Sequence, residues 1–220
     1  LMIITIDGPA GVGKTTVGKL TANKLGIGFL DTGIMYRALT WSLQENNLED
    51  SSIDKILIHL KNLTFDLDIR NVDTTTILIN EINVTDLLNS PEVEKHVSKI
   101  SSFREVREIM VIKQRDIVKN TSSLVVGRDI GTIVLPNAKS KFYLTASAEE
   151  RAKRRFSQKS EKISYSKVLK DIIERDKLDM SRKFSPLKVP QNALIINTEK
   201  KNIHQVSDEI IKKIKNESSL

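Results

Sequence analysis

Ile3-Ile4-Thr5-Ile6, followed after one residue by Gly8-Pro9-Ala10-Gly11-Val12-Gly13-Lys14-Thr15-Thr16, is an apolar run leading into a complete G-x-x-x-x-G-K-[ST] loop. A short apolar run of this kind reads as a buried strand, and Lys14 to Leu25 reads as the helix that the loop opens. Strand, glycine-rich loop and helix in that order form a phosphate cradle. Free N–H groups and the positive end of the helix dipole face an anion, and glycines let the backbone come close to its oxygen atoms. Lys14 is expected to reach the β- and γ-phosphates and Thr15 to act as a Mg²⁺ ligand. The expected donor-nucleotide contacts are Gly8, Pro9, Ala10, Gly11, Val12, Gly13, Lys14, Thr15 and Thr16.

Beyond the loop, apolar periodicity gives alternating strands and helices, the pattern of a parallel sheet covered on both faces. Five strands are predicted: Ile3 to Ile6, Ile27 to Leu30, Leu124 to Val126, Lys141 to Leu144 and Ala193 to Ile196. Gly26 is placed to end the first helix. The last helix carries Ile203, Val206, Ile210, Ile211 and Ile214 on one face. Between Leu63 and Thr85 the pattern becomes alternating, through Phe65 to Ile69, Thr75 to Ile79 and Ile82 to Val84, which predicts a small antiparallel insertion. Helical spacing returns from Pro91 to Asn120, with a break near Ser101-Ser102.

At 220 residues the chain is long enough for one sizeable domain. It has no cysteine, which excludes disulfides and thiolate metal sites and points to a reducing compartment, so a cytoplasmic location is expected. Neither a membrane span nor a signal peptide is expected. His59, His96 and His204 lack metal-ligand spacing, and Trp41 reads as packing. Residues 151–188 hold 13 Lys and Arg against 5 Asp and Glu, a net +8 in a chain whose total is +7. Such a segment suits either a nucleic-acid-binding face or a lid over nucleotide phosphates; the phosphate loop favours the lid.

Two further motifs lie after predicted strands, at the sheet edge where ligands of open α/β sheets bind. Asp31-Thr32-Gly33-Ile34-Met35-Tyr36-Arg37 follows the second strand and Gly127-Arg128-Asp129-Ile130-Gly131-Thr132 the third. Arg37 and Arg128 thereby converge beside the loop, where either can grip a second phosphate by a bidentate contact.

With these motifs, Val97-Ser98-Lys99-Ile100-Ser101, Val106-Arg107-Glu108, Ala148-Glu149-Glu150-Arg151-Ala152, Glu174-Arg175-Asp176 with Asp179 and Arg182, and Ser185-Pro186-Leu187 occur in order. Together they resemble the bacterial-type cytidylate kinases, of the nucleoside monophosphate kinase group of P-loop proteins, over nearly the whole chain. The resemblance implies an α/β fold: a P-loop kinase core with a five-stranded parallel sheet, a small antiparallel strand insertion and a basic helical lid. Within a single kinase unit, 1–60, 120–150 and 189–220 would form the core, 61–119 the monophosphate-binding insertion and helices, and 151–188 the lid. The implied substrates are CMP and dCMP as acceptors and ATP as donor, with Mg²⁺, and a monomer that needs neither nucleic acid nor membrane.

Residue by residue, the resemblance implies that Arg37 and Arg128 hold the CMP phosphate, with Thr32 also among the acceptor contacts. Ser98, Arg107 and Asp129 would surround the cytosine, and Asp179 the sugar. Arg175 and Arg182 would lie near the sugar and the transferred group, making Lys14, Arg128, Arg175 and Arg182 the catalytic set. If the lid helix continues far enough, Arg175, Asp179 and Arg182 share a face at i, i+4 and i+7. Leu178 departs from the family, which usually has an arginine there; Arg154 and Arg155 are candidates to supply that charge. Asp31 fits a metal role or a turn role equally. Two alternatives stand beside this reading: a P-loop kinase of the shikimate or sugar-acid type, and a non-catalytic RNA-binding protein. A regulatory GTPase lacks support because no N-K-x-D signature occurs.

Overall fold

In the structure, a computed structural model that describes residues 1–72, 75–158 and 164–218, the first apolar run becomes β1 (Ile3–Asp7) and the loop opens α1 (Lys14–Leu25). Next come β2 (Gly28–Asp31), α2 (Thr32–Glu45), α3 (Ile53–Asn62), β3 (Phe65–Leu67), β4 (Ile77–Ile79) and β5 (Ile82–Asn83). Then follow α4 (Pro91–Ile100), α5 (Arg104–Val118), β6 (Ser123–Gly127), β7 (Ser140–Thr145), α6 (Ala148–Ser157), α7 (Tyr165–Ser181), β8 (Leu194–Asn197) and α8 (Ile203–Ser218). Residues 159–163 of the expected lid lie outside the described residues.

The five predicted strands form one parallel sheet in the order β2-β6-β1-β7-β8. Strands buried on both faces can be apolar throughout, and Leu124, Val125 and Val126 of β6 alternate between two cores. Val125 joins Leu30, Met35, Leu39 and Met110 on one face, whereas Leu124 and Val126 join Ile4, Val17, Phe29 and Ile210 on the other. A third, small cluster of Ala152, Val168 and Ile172 holds α6 against α7. Because β1 lies at the sheet centre, its loop, the end of β2 and the end of β6 open at one edge.

The antiparallel insertion is present as the three-stranded sheet β3-β4-β5. Its last hairpin turns on Asn80 and Glu81 at φ 47° and 69°, the left-handed pair that a two-residue hairpin requires. Two expectations need correction. Ile203 is 43% exposed and the buried stripe of α8 consists of Val206, Ile210 and Ile214, so it begins one turn later than the sequence suggested. And α7 ends at Ser181: Arg182 has left the helix at φ −57°, ψ 133°, and the chain folds back so that Leu187 N donates to Asp179 O (2.8 Å). Arg182 therefore does not share a helical face with Arg175 and Asp179.

Candidate active site

The phosphate loop leaves β1 with a backbone that a side chain would block, since a Cβ on Gly8 would lie 2.3 Å from Leu144 O. Gly13 then adopts φ 95° and precedes α1 without a side-chain cap, leaving first-turn N–H groups for an anion. Lys14 is buried, its Nζ donating to Gly8 O (2.8 Å) and Pro9 O (2.7 Å). Burial, then the nearby Arg128, hold its pKa well below the usual lysine value. Thr15 Oγ1 donates to Asp31 Oδ2 at 2.6 Å, while Asp31 Oδ1 accepts from Gly33 N (2.9 Å) and caps α2. Asp31 thus has a turn role, and its second oxygen sits with Thr15 Oγ1 as a pair of hard donors beside the loop. Oxygen ligands of this type fit Mg²⁺.

Around that edge stands a group of guanidinium side chains. Arg37 of α2, Arg128 after β6, Arg155 of α6 and Arg175 of α7 act on one another electrostatically, and Arg182 lies beside Arg128. Burial, then repulsion by Arg128, bring Arg175 down to about 10. Burial likewise lowers Arg37, Arg155 and Arg182. Asp179, with its side chain 4% exposed, accepts from Arg128 Nε (2.9 Å) and pairs with Arg182. Burial pushes this carboxyl up, yet Arg128, Arg182 and Arg175 outweigh it and hold the group below its ordinary value. Arg182 Nε and Nη1 remain buried without a hydrogen-bond partner. Crowded cations with spare donors are a receptor for anionic oxygens.

Next to this lies a second, drier corner. Arg107 of α5 pairs with Asp129 (Nη2 to Oδ1, 2.6 Å), both side chains only 4% exposed. Its Nη1 donates to Ser101 O (3.1 Å), and the guanidinium stands 5.2 Å from the Tyr36 ring centroid. Burial opposes the charged arginine, but Tyr36 and Asp129 prevail and its pKa is raised; burial pushes the Tyr36 hydroxyl up to about 12. Asp129 Oδ2 and Arg107 Nε are buried with no protein partner. Ser98 is half-buried on α4, its carbonyl accepting from Ser101 Oγ (3.2 Å). Thr32 turns into the sheet, its buried hydroxyl donating to Val126 O (3.0 Å). Leu178 is 58% exposed on α7. Among the described residues no His, Asp or Glu cluster suits a metal, and no helix is long and apolar enough to cross a membrane.

The sequence model of the Cytidylate kinase family matches residues 4–216. A cytidylate kinase of Halalkalibacterium halodurans is 43% identical over 220 residues, covering 97% of each chain, and one of Fusobacterium nucleatum is 41% identical, again over 97% of each. The chain belongs to the cytidylate kinase family. Its fold is also that of a shikimate kinase from Bacteroides thetaiotaomicron (TM-score 0.50, 13% identity, covering 100% of this chain and 99% of that one), a likeness of architecture alone.

Contacts of Arg151 and Asp7 at this edge of the cytidylate kinase site escaped the sequence reading, and of Arg154 and Arg155, both candidates for the charge missing at Leu178, only one joins the guanidinium group. Arg155 joins the guanidinium group and pairs with Glu94 of α4, whereas Arg154 turns away to Thr198 Oγ1 (3.0 Å) and Thr198 O (2.9 Å). Arg151 of α6 donates through Nη1 to Ala10 O (3.1 Å) in the phosphate loop and pairs with Asp176 of α7 (2.6 Å). Asp7, wholly buried at the end of β1, accepts from Ile130 N (2.7 Å) and Gly131 N (2.8 Å). The contacts of Arg151 with Ala10 and of Asp7 with Ile130 and Gly131 join residues far apart in sequence, and no local pattern marks them.

Proposed function

We propose that this chain transfers the γ-phosphoryl group of ATP to a phosphate oxygen of CMP, giving ADP and CDP, and that dCMP, with the same base and phosphate, also serves as acceptor. The observation that carries the choice of base is the buried Arg107–Asp129 pair, with Asp129 Oδ2 and Arg107 Nε unsatisfied. Buried polar atoms without partners are exceptional unless a ligand completes them. Cytosine offers an amino donor at C4 and acceptors at N3 and O2, which match a carboxylate oxygen and a guanidinium N–H. Uracil has an oxygen at C4, which would meet Asp129 repulsively, and sites built on hydrogen bonds reject such a mismatch strongly.

The acceptor phosphate carries its own anionic nucleophile, so no side-chain nucleophile or general base is required. This chain's residues align and neutralise. The loop amides and Lys14 hold the donor phosphates, and Arg37 and Arg128 hold the acceptor phosphate. Arg155, Arg175 and Arg182 meet the charge spread over the transferred group, and Asp179 keeps Arg128 and Arg182 oriented. Thr15, with Asp31 behind it, would hold Mg²⁺, which supplies charge neutralisation of the donor oxygens. Residues 151–188 act as a lid and 61–119 as the acceptor region; their closure excludes water, which otherwise competes as acceptor. The protein acts as a monomer in the cytoplasm, with neither nucleic acid nor membrane as a partner. Family membership does not favour the shikimate-type and RNA-binding alternatives. A panel of nucleoside monophosphates with MgATP, scored for diphosphate product, tests the whole reading: CMP should be converted most efficiently, and absence of CDP would overturn it.

A further inference from the structure

Asp7 lies in none of the roles given above, yet it touches the segment that carries two of them. Its carboxylate is fully buried at the C-terminal end of β1, opposite Gly127 of β6 and Tyr143 of β7 in the strand register. Oδ1 accepts from Ile130 N at 2.7 Å and Oδ2 from Gly131 N at 2.8 Å. Those are the two amides that follow Arg128 and Asp129, at the start of a single wide turn over Ile130–Val134 closed by Leu135 N to Ile130 O (2.7 Å). Gly131 fits against β1 because it has no side chain: a Cβ there would lie 2.9 Å from both Thr5 Oγ1 and Pro190 Cγ. Two adjacent N–H groups aimed at two oxygens require a group that accepts twice and donates nothing, which among side chains of this size only a carboxylate provides.

Resting on the CMP kinase reading, we propose that Asp7 is a positioning residue for base discrimination: by gripping both amides it fixes the turn that aims Asp129 at the cytosine and Arg128 at the acceptor phosphate. Asp7 holds backbone amides beside Asp129 and Arg128, so its effect on the base is indirect. A displaced turn would weaken the match to cytosine more than it relieves the mismatch to uracil, so the loss appears in the ratio of the two acceptors.

Asp7→Asn keeps the side-chain volume but accepts once and sets an N–H against the second amide. The variant is expected to raise the KM for CMP about tenfold and to lower the CMP-over-UMP ratio of kcat/KM by a similar factor, with the KM for ATP within about twofold of wild type. Wild-type protein gives an independent measurement. Burial, with Asp129 nearby, pushes Asp7 up to about 6, against the pull of the two amides and of Lys14; Tyr143 is the other titratable group facing it. Protonation turns one oxygen into a donor, so the CMP-over-UMP ratio should fall as pH drops from about 7.5 to about 5.5. Ionisation of the acceptor phosphate and of Lys14 affects both acceptors alike and cancels in the ratio. An unchanged ratio in folded Asp7→Asn, or a flat wild-type ratio over that range, would overturn the proposal. Failure of the wild type to convert CMP at all would instead remove the functional reading beneath it.

Discussion

Removing the Arg128 guanidinium would take away the charge-assisted contact to the acceptor phosphate proposed for it, but leaves Asp179 paired with Arg182. Arg128→Ala should therefore stay folded while kcat/KM for CMP falls by about ten- to a hundredfold, on the order of 1.5 to 3 kcal/mol, in a coupled ADP-release assay. Asp129 differs, because among the described residues it is the carboxylate that pairs directly with Arg107, on which Asp179 acts only as a weaker neighbour. Asp129→Ala leaves Arg107 buried without its direct ion-pair partner, at a cost of about 3 kcal/mol, visible as a large fall in urea-unfolding stability. Asp129→Asn retains the shape and lets selectivity be read: its CMP-over-UMP ratio should narrow, and an unaltered ratio would take Asp129 out of base recognition. At this scale the residues proposed from sequence, Arg37, Arg128, Arg175, Arg182, Asp179, Arg107 and Asp129, form one electrostatically connected group in the structure. The bond of the buried Thr32 hydroxyl to Val126 O, a partner 94 residues away, has no local sign in the sequence.

Among the elements, α6 is tied to the phosphate loop more firmly than its basic surface suggests. Arg151 Nε donates to Ala146 O (3.0 Å) and Nη1 to Ala10 O, while the same group pairs with Asp176. Arg151→Met fills the space but strands a buried carboxylate, so unfolding free energy should drop by about 3 kcal/mol. The KM for ATP should rise while that for CMP changes little. A stability change under about 0.5 kcal/mol in a urea titration would refute that coupling. The strands and α1 were readable because hydrophobic period and the glycines are local signals. Indeed Gly26 closes α1 at φ 63° as a C-terminal glycine should. The end of α7 was not readable. Pro186 forbids a helix through Ser185, but the exact stop at Ser181 goes with the backbone bond from Leu187 to Asp179, which belongs to the returning chain.

Across the whole molecule, two buried carboxyls pull the pH dependence of stability in opposite directions. Asp7, raised from 3.8 to about 6, takes up a proton in the folded state before it does so unfolded, so lowering the pH stabilises the fold through this group. Between about pH 7.5 and about pH 5.5 the gain should be about 1 kcal/mol. Asp179, held below 3.8, adds stability that is complete above that value and is lost as acid titrates the folded carboxylate. Urea unfolding of wild type against Asp7→Asn should show the first gain only in the wild type; equal slopes would count against the raised carboxyl. The amino-acid sequence by itself determined the phosphate loop, the five parallel strands and the antiparallel insertion, since each is written in a window short enough for a periodicity or a motif to be seen, and the family through the ordered set of such motifs along nearly the whole chain. Only the tertiary structure decided that Asp7 meets residues 123 and 124 positions away, that Arg151 meets Ala10, and that Arg155 rather than Arg154 faces the nucleotide edge. Those pairings follow from the order β2-β6-β1-β7-β8, which places β1 beside strands formed more than a hundred residues later, and such contacts arise from packing of the whole sheet rather than from any local preference of the chain.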